Sequence, residues 1–157
     1  MSIRKLLALI SFSIIFAGSS VFAETTFEKI KRTGKVTVGT EAAFPPFEFV
    51  EDGKIVGYGK DILDYIVAEM KVELNQLDLP WQGILPGVLA GKFDFVATSV
   101  SIRAERAKKY AFTVPIAEGT NWVMKRSGDA SINTPDDLSG KVVCTQLASG
   151  SEKATKE

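Results

Sequence analysis

The sequence predicts an α/β fold built on a largely parallel sheet. Strand-like and helix-like patterns alternate from Lys35 to Ala97 as strand, helix, strand, helix, strand. Such alternation implies parallel strands with helices packed on the sheet faces. In addition, the segment Phe93–Ala97 reads as a buried strand that runs directly into the hydroxyls of Thr98, Ser99 and Ser101 and then into Arg106. In open α/β sheets ligands sit beyond the carboxyl ends of the strands, so this placement points to binding of a small carboxylate.

The first residues are set aside from the fold. Arg4 and Lys5 form a positive region, Leu6 to Ala17 an apolar one, and Val21-Phe22-Ala23 a small-residue cleavage site. This pattern is that of a secretory signal peptide over residues 1–23, with cleavage expected after Ala23. The alternative is an uncleaved anchor, but a spanning helix needs about 20 predominantly apolar residues and Gly18-Ser19-Ser20 interrupts this one. Lipidation is not expected, because the only cysteine, Cys144, lies far from the processing site.

Thr25 to Glu28 fits a capping box and Gly34 a stop, predicting a short opening helix. Lys35–Thr40 alternates as a strand, and Pro45-Pro46 makes Glu41–Pro46 a loop. Phe47–Val50 and Ile55–Tyr58 flank Glu51 to Lys54, whose Asp-Gly pair predicts a hairpin. Lys60–Met70 places Ile62, Leu63, Ile66, Val67 and Met70 on one helical face. Val72–Leu79 is the next strand, Gly83–Leu89 a short helix, and Phe93–Ala97 the buried strand. Beyond Pro115, Thr120–Lys125 and Lys141–Gln146 are strand candidates, Thr134-Pro135-Asp136-Asp137 starts a helix, and Ser151–Glu157 opens another. This second unit is too short to close a core. The chain therefore reads as C-terminally truncated, with a natural single-domain product as the alternative.

Composition narrows the function classes. The chain carries 19 basic and 19 acidic residues; subtracting Arg4 and Lys5 leaves 17 against 19, a net charge of −2. No basic stripe suggests nucleic acid. There is no histidine, which excludes Ser-His-Asp and Cys-His catalysis and removes the commonest transition-metal ligand. Cys144 has no partner for an internal disulfide and, within Val142-Val143-Cys144, is expected to be a buried small hydrophobe. No cofactor or metal is implied, no dinucleotide or Walker motif occurs, and the chain is expected to be a monomer.

Each candidate residue carries two readings. Arg106 offers a planar fork of donors that matches a carboxylate, with Ser101 at the start of the same short helix. Alone, it is an ordinary solvated arginine beside Arg103, Lys108 and Lys109. Phe44 and Trp81 each follow a strand and can flank a ligand at the crevice mouth with Ser99, or else pack in the core. The core reading is kept for Phe47, Phe49 and Phe93. Among the acids Glu41, Glu48, Asp61 and Asp64, Glu41 is placed to meet a cationic group or to be solvated, and the Asp61/Asp64 pair is structural. Ser149-Gly150-Ser151 either presents N–H groups to an anion or is a plain helix cap.

These residues in this order resemble the extracellular solute-binding proteins of polar amino-acid ABC transporters, the family 3 periplasmic binding proteins. The stretches that carry the resemblance are Gly39–Phe49, Gly53–Ile62, Trp81–Ile116 and Ile132–Ala154. The resemblance implies a periplasmic binding protein type II-like architecture. A near-complete first lobe would span residues 24–118, and a crossover with the start of a second lobe residues 119–157. The two lobes of that architecture close on a ligand like a hinge. It also implies roles: Arg106 with Ser101 on the ligand α-carboxylate, the Ser99 carbonyl on the α-ammonium, and Phe44 and Trp81 beside the side chain. Glu41 would meet the far end of that side chain, and Ser149 and Ser151 would complete the carboxylate site. Gly59 departs from the family's usual Asp, while Asp61 is retained.

The implied function is a periplasmic amino-acid-binding protein, not an enzyme, that delivers a free, polar amino acid to a membrane-embedded ABC permease. The alternatives are an exported cyclohexadienyl dehydratase-like lyase on the same fold, a sensor that keeps its hydrophobic N-terminus in the membrane, and a truncated product without binding of its own.

Overall fold

A computed structural model describes residues 23–156 of the chain. The expected signal segment, apart from Ala23, lies outside the described residues. Among those described, no helix is long and apolar enough to cross a membrane.

The first helix, α1 (Thr26–Thr33), starts and stops where the sequence directs. Thr25 Oγ1 accepts the Glu28 N–H at 3.2 Å, and the Glu28 carboxylate accepts the Thr25 N–H at 2.9 Å. Two of the helix's orphan donors are thereby satisfied. Gly34 closes the helix in the left-handed region (φ 66°), a conformation that costs glycine no Cβ clash. One side chain of α1, Ile30, is buried, and it fastens the helix to the sheet.

Strand β1 (Lys35–Thr40) is the centre of a three-stranded parallel sheet ordered β5–β1–β6, where β5 is Glu73–Asp78 and β6 is Phe95–Val96. Lys35 to Thr40 pair in register with Glu73 to Asp78. The parallel α/β arrangement expected from the sequence is the one observed. The regular part of β6 is two residues rather than five, although the Asp94 N–H reaches Thr37 O at 2.8 Å and the Ala97 N–H reaches Gly39 O at 2.9 Å.

Between β1 and β5 runs an antiparallel ribbon, β2 (Ala43–Phe44), β3 (Glu48–Glu51) and β4 (Lys54–Val56), followed by α2 (Tyr58–Met70). Asp52 and Gly53 both take positive φ (49° and 73°), the conformation a two-residue hairpin with matching twist requires. Strand β2 corrects the expectation of a plain loop over Glu41–Pro46. Two residues beside consecutive prolines carry no periodicity, and their pairing with β3 supplies the order.

One face of the sheet packs Val36 and Val38, both fully buried, against Ile30, Leu63 and Val67. Each such side chain contributes about 1.5–3 kcal/mol relative to exposure. Leu63 and Val67 stand four residues apart on α2, one above the other. Ile66, expected on the same face, is exposed, because the apolar stripe of α2 is narrower than the sequence pattern suggests. On the opposite face, α3 (Trp81–Leu89) buries Trp81, Ile84 and Gly87. The Phe93 ring fills the gap between Gly39 and Gly87: a Cβ on either glycine would come within 2.6 or 2.7 Å of it.

After α4 (Ala104–Ala107) regular structure thins. The strands expected over Thr120–Lys125 and Lys141–Gln146 are not formed. A strand needs a paired neighbour and a face to bury. Here Trp122, Met124 and Val142 are 87, 96 and 96 % exposed, so neither segment has one. Cys144, expected to be buried with that strand, is exposed for the same reason. The helix start at Thr134 makes a single 3-10 turn (Pro135–Leu138) with a capping box, and α5 (Gly150–Ala154) is one short helix.

Candidate ligand-binding site

The carboxyl ends of β1, β5 and β6 open together onto one crevice. Glu41 and Phe44 follow β1, Trp81 follows β5, and Thr98, Ser99, Ser101 and Arg106 follow β6. Residues 119–122, Gln146 and residues 149–151 face them across a cavity of about 500 Å³. All eight residues singled out in the sequence line it: Glu41, Phe44, Trp81, Ser99, Ser101, Arg106, Ser149 and Ser151. The structure thus brings together residues up to 110 positions apart, from Glu41 to Ser151.

Arg106 is held by its surroundings rather than by an acid. Its Nη1 donates to the Ser101 carbonyl at 3.1 Å, and its guanidinium lies 5.3 Å from the centre of the Trp81 ring. The ring face attracts the cation and fixes its plane. Among the described residues no carboxylate forms an ion pair with it. Partial burial, with Arg103 nearby, lowers its pKa from the ordinary arginine value, and Glu105 and Tyr110 oppose that shift. An arginine remains protonated even so. The pocket therefore carries a positive charge that a ligand carboxylate would answer.

The opposite wall bears polar groups. Ser149 Oγ accepts the Glu152 N–H at 3.1 Å as the cap of α5, and Ser149 lines the cavity at that cap. Ser151 Oγ donates to Asn121 Oδ1 at 3.1 Å. Three contacts tie the two walls. Gln146 Nε2 donates to Glu41 Oε1 at 2.7 Å, Lys153 pairs with Glu105 at 3.1 Å, and the Arg103 guanidinium lies so close to Gly150 that a Cβ there would overlap it. Glu41, expected to meet a cationic group or solvent, is thus engaged by an amide.

Of the remaining acids, Asp64 forms an i,i+4 ion pair with Lys60, and Asp61 lies in the first turn of α2. Both fit the structural role expected of them. Glu48 does not behave like a surface acid at all. Its residue is 2 % exposed, and its carboxylate accepts from Thr98 Oγ1 at 2.6 Å, the Ser99 N–H at 2.5 Å and Ser99 Oγ at 3.0 Å. The sequence names Glu48 without placing it. The available signal was an acid between two phenylalanines in a strand. Also missed were Gln146, Asn121, Trp122, Ile102 and Arg103, which line the cavity from irregular segments, the first three from stretches whose pattern suggested strands that do not form.

An α/β lobe whose strand ends meet a cavity lined by arginine, aromatics and hydroxyls has the form of a solute-binding domain. The chain belongs to the bacterial extracellular solute-binding proteins, family 3, which it matches over residues 36–156. It is 34 % identical over 144 residues to the L-cystine-binding protein TcyJ of Escherichia coli (strain K12), across 88 % of this chain and 54 % of that protein. Among solved structures it is similar to the arginine-bound form of truncated ArgBP from T. maritima. That match has a TM-score of 0.71 and 31 % identity, covering 82 % of this chain and 62 % of the other. A second is the ancestral amino acid-binding protein AncCDT-1, a precursor of cyclohexadienyl dehydratase, with a TM-score of 0.76 and 32 % identity over 84 % of this chain and 60 % of that one. The chain spans about half the length of the curated relatives it matches.

Proposed function

We propose that this chain binds a free, polar amino acid as the extracytoplasmic binding component of an ABC transporter. The observation that carries the reading is Arg106, a cation without a carboxylate partner among the described residues, stacked on Trp81 and facing a cavity lined by Ser99, Ser101, Ser149 and Ser151. The cavity volume is within the range of small-molecule sites. Arg106 and Ser101 take the ligand α-carboxylate, with Ser149 and Ser151 completing that end. Ser99 takes the α-ammonium, and Phe44 and Trp81 flank the side chain. Glu41, with Gln146 beside it, reads the side chain's far end. The names of the similar proteins, which include cystine-, histidine- and arginine-binding proteins, support an amino acid as ligand class.

Residues 1–23 act as the signal that exports the chain to the periplasm, with cleavage after Ala23. Residues 24–118 form one lobe, and residues 119–157 supply the crossover and the facing side of the pocket. The protein works as a monomer that hands its ligand to a membrane-embedded permease. Binding rather than catalysis is favoured because Glu41, the acid a lyase would draw on, is hydrogen-bonded to Gln146. Isothermal titration of the purified chain against the common L-amino acids and L-cystine tests the reading. Saturable binding of at least one is expected, and silence across the whole panel contradicts it.

A further inference from the structure

We propose that Arg103 is a positioning residue of the site: its guanidinium fills the space left by the absent side chain of Gly150 and thereby sets how far the Ser149–Ser151 turn stands from Arg106. The inference rests on the amino-acid reading above and deepens it.

Arg103 and Arg106 belong to one short segment at the start of α4. The Arg103 carbonyl accepts the N–H groups of Arg106 at 3.0 Å and Ala107 at 2.9 Å, so the backbone that carries one guanidinium also fixes the other. Both side chains line the cavity, as do Ser149, Gly150 and Ser151 on the facing wall.

The two walls meet at Gly150. A Cβ there would lie 2.2, 2.5 and 2.7 Å from Nη2, Cζ and Nε of Arg103, so the flat guanidinium turns its face to the glycine. The backbone does not call for glycine at this position, since Gly150 opens α5 without a positive φ. What excludes a side chain is the arginine. Beside this contact, Lys153 pairs with Glu105 at 3.1 Å, but both partners are about half exposed, and such pairs hold little. The packed guanidinium is therefore the spacer between α4 and α5. A carboxylate shared by Arg106 and the turn needs donors within about 2.7–3.2 Å on both sides. Moving the turn by the width of one methyl group breaks one side of that arrangement.

The test is calorimetry of the full chain against the common L-amino acids and L-cystine, in the wild type, Gly150→Ala, Arg103→Ala and the double variant. For whichever amino acid the wild-type chain takes up, Gly150→Ala should lose about tenfold in affinity. Its urea unfolding without ligand should match wild type, because the end of a long arginine side chain can swing aside. On the Arg103→Ala background the same substitution should cost less than about twofold, since nothing then fills the space. Arg103→Lys keeps the charge without the flat face and should lose affinity as Arg103→Ala does.

A loss from Gly150→Ala that is equal on both backgrounds places the effect in the turn itself and overturns the role of Arg103, while the amino-acid reading stands. Wild-type affinity in Arg103→Lys, or in both single alanine variants, overturns it as well, and so does a Gly150→Ala chain that unfolds more easily. If the wild-type chain takes up no amino acid at all, the underlying reading fails and the proposal falls with it.

Discussion

At the scale of one residue, Arg106 is held by an aromatic face and a backbone carbonyl, which supports the carboxylate-binding role proposed for it. The Trp81 face and the Ser101 carbonyl orient its guanidinium and leave its remaining N–H donors directed by a fixed plane. Removing a charged hydrogen-bonding partner typically costs 2–5 kcal/mol of binding, so Arg106→Ala should weaken amino-acid binding about 30-fold or more in a calorimetric titration. Arg106→Lys keeps the charge but loses the planar fork, and its affinity should fall between the two. This pair of residues was legible in the sequence because Ser101 and Arg106 are five positions apart on one strand-to-helix turn. The Glu48–Ser99 contact was not legible. It spans 51 positions and joins two sheets, and no local pattern encodes that meeting.

At the scale of elements, two contacts hold the sheet in the shape that opens the crevice. The Phe93 ring sits between Gly39 on β1 and Gly87 on α3 with no space for a methyl group. Gly39→Ala should therefore destabilise the chain by about 1–3 kcal/mol in urea unfolding, the usual consequence of overpacking. Asp94 links α1, β1 and the entry to β6 by accepting from Lys29 Nζ at 2.7 Å and the Thr37 N–H at 2.8 Å. Burial alone would raise its pKa, but the hydrogen bonds from Lys29 and Thr37 outweigh it and hold the carboxyl below its ordinary value. A carboxyl depressed in the folded state stabilises the fold above its unfolded pKa and loses that contribution as pH falls through the folded one. Stability should thus decline on acidification through and below the ordinary aspartate range, and Asp94→Asn should flatten that decline in thermal melts followed against pH.

Apart from β2, the elements from α1 to α3 were readable because a capping box, an Asp-Gly turn and clear periodicity mark them. The strands expected after Thr120 failed for a physical reason. An alternating pattern specifies a strand only where a neighbour pairs with it, and Trp122, Met124 and Val142 remain exposed instead.

Across the whole molecule, the cavity exists because distant segments meet at the ends of parallel strands. Gln146 on Glu41 and Lys153 on Glu105 draw the 146–153 segment onto the body that carries Arg106. Gln146→Ala should leave the unfolding free energy within about 0.5 kcal/mol of wild type, since the contact is exposed. It should nevertheless alter which amino acid binds best, as read by competition titration. The most direct test of the account is calorimetry of the purified chain against the common L-amino acids and L-cystine, repeated with Arg106→Ala. The account requires saturable binding of at least one amino acid by the wild-type chain, weakened about 30-fold or more by the substitution. An amino acid that binds equally well to both proteins, or no binding to the wild-type chain, would contradict it.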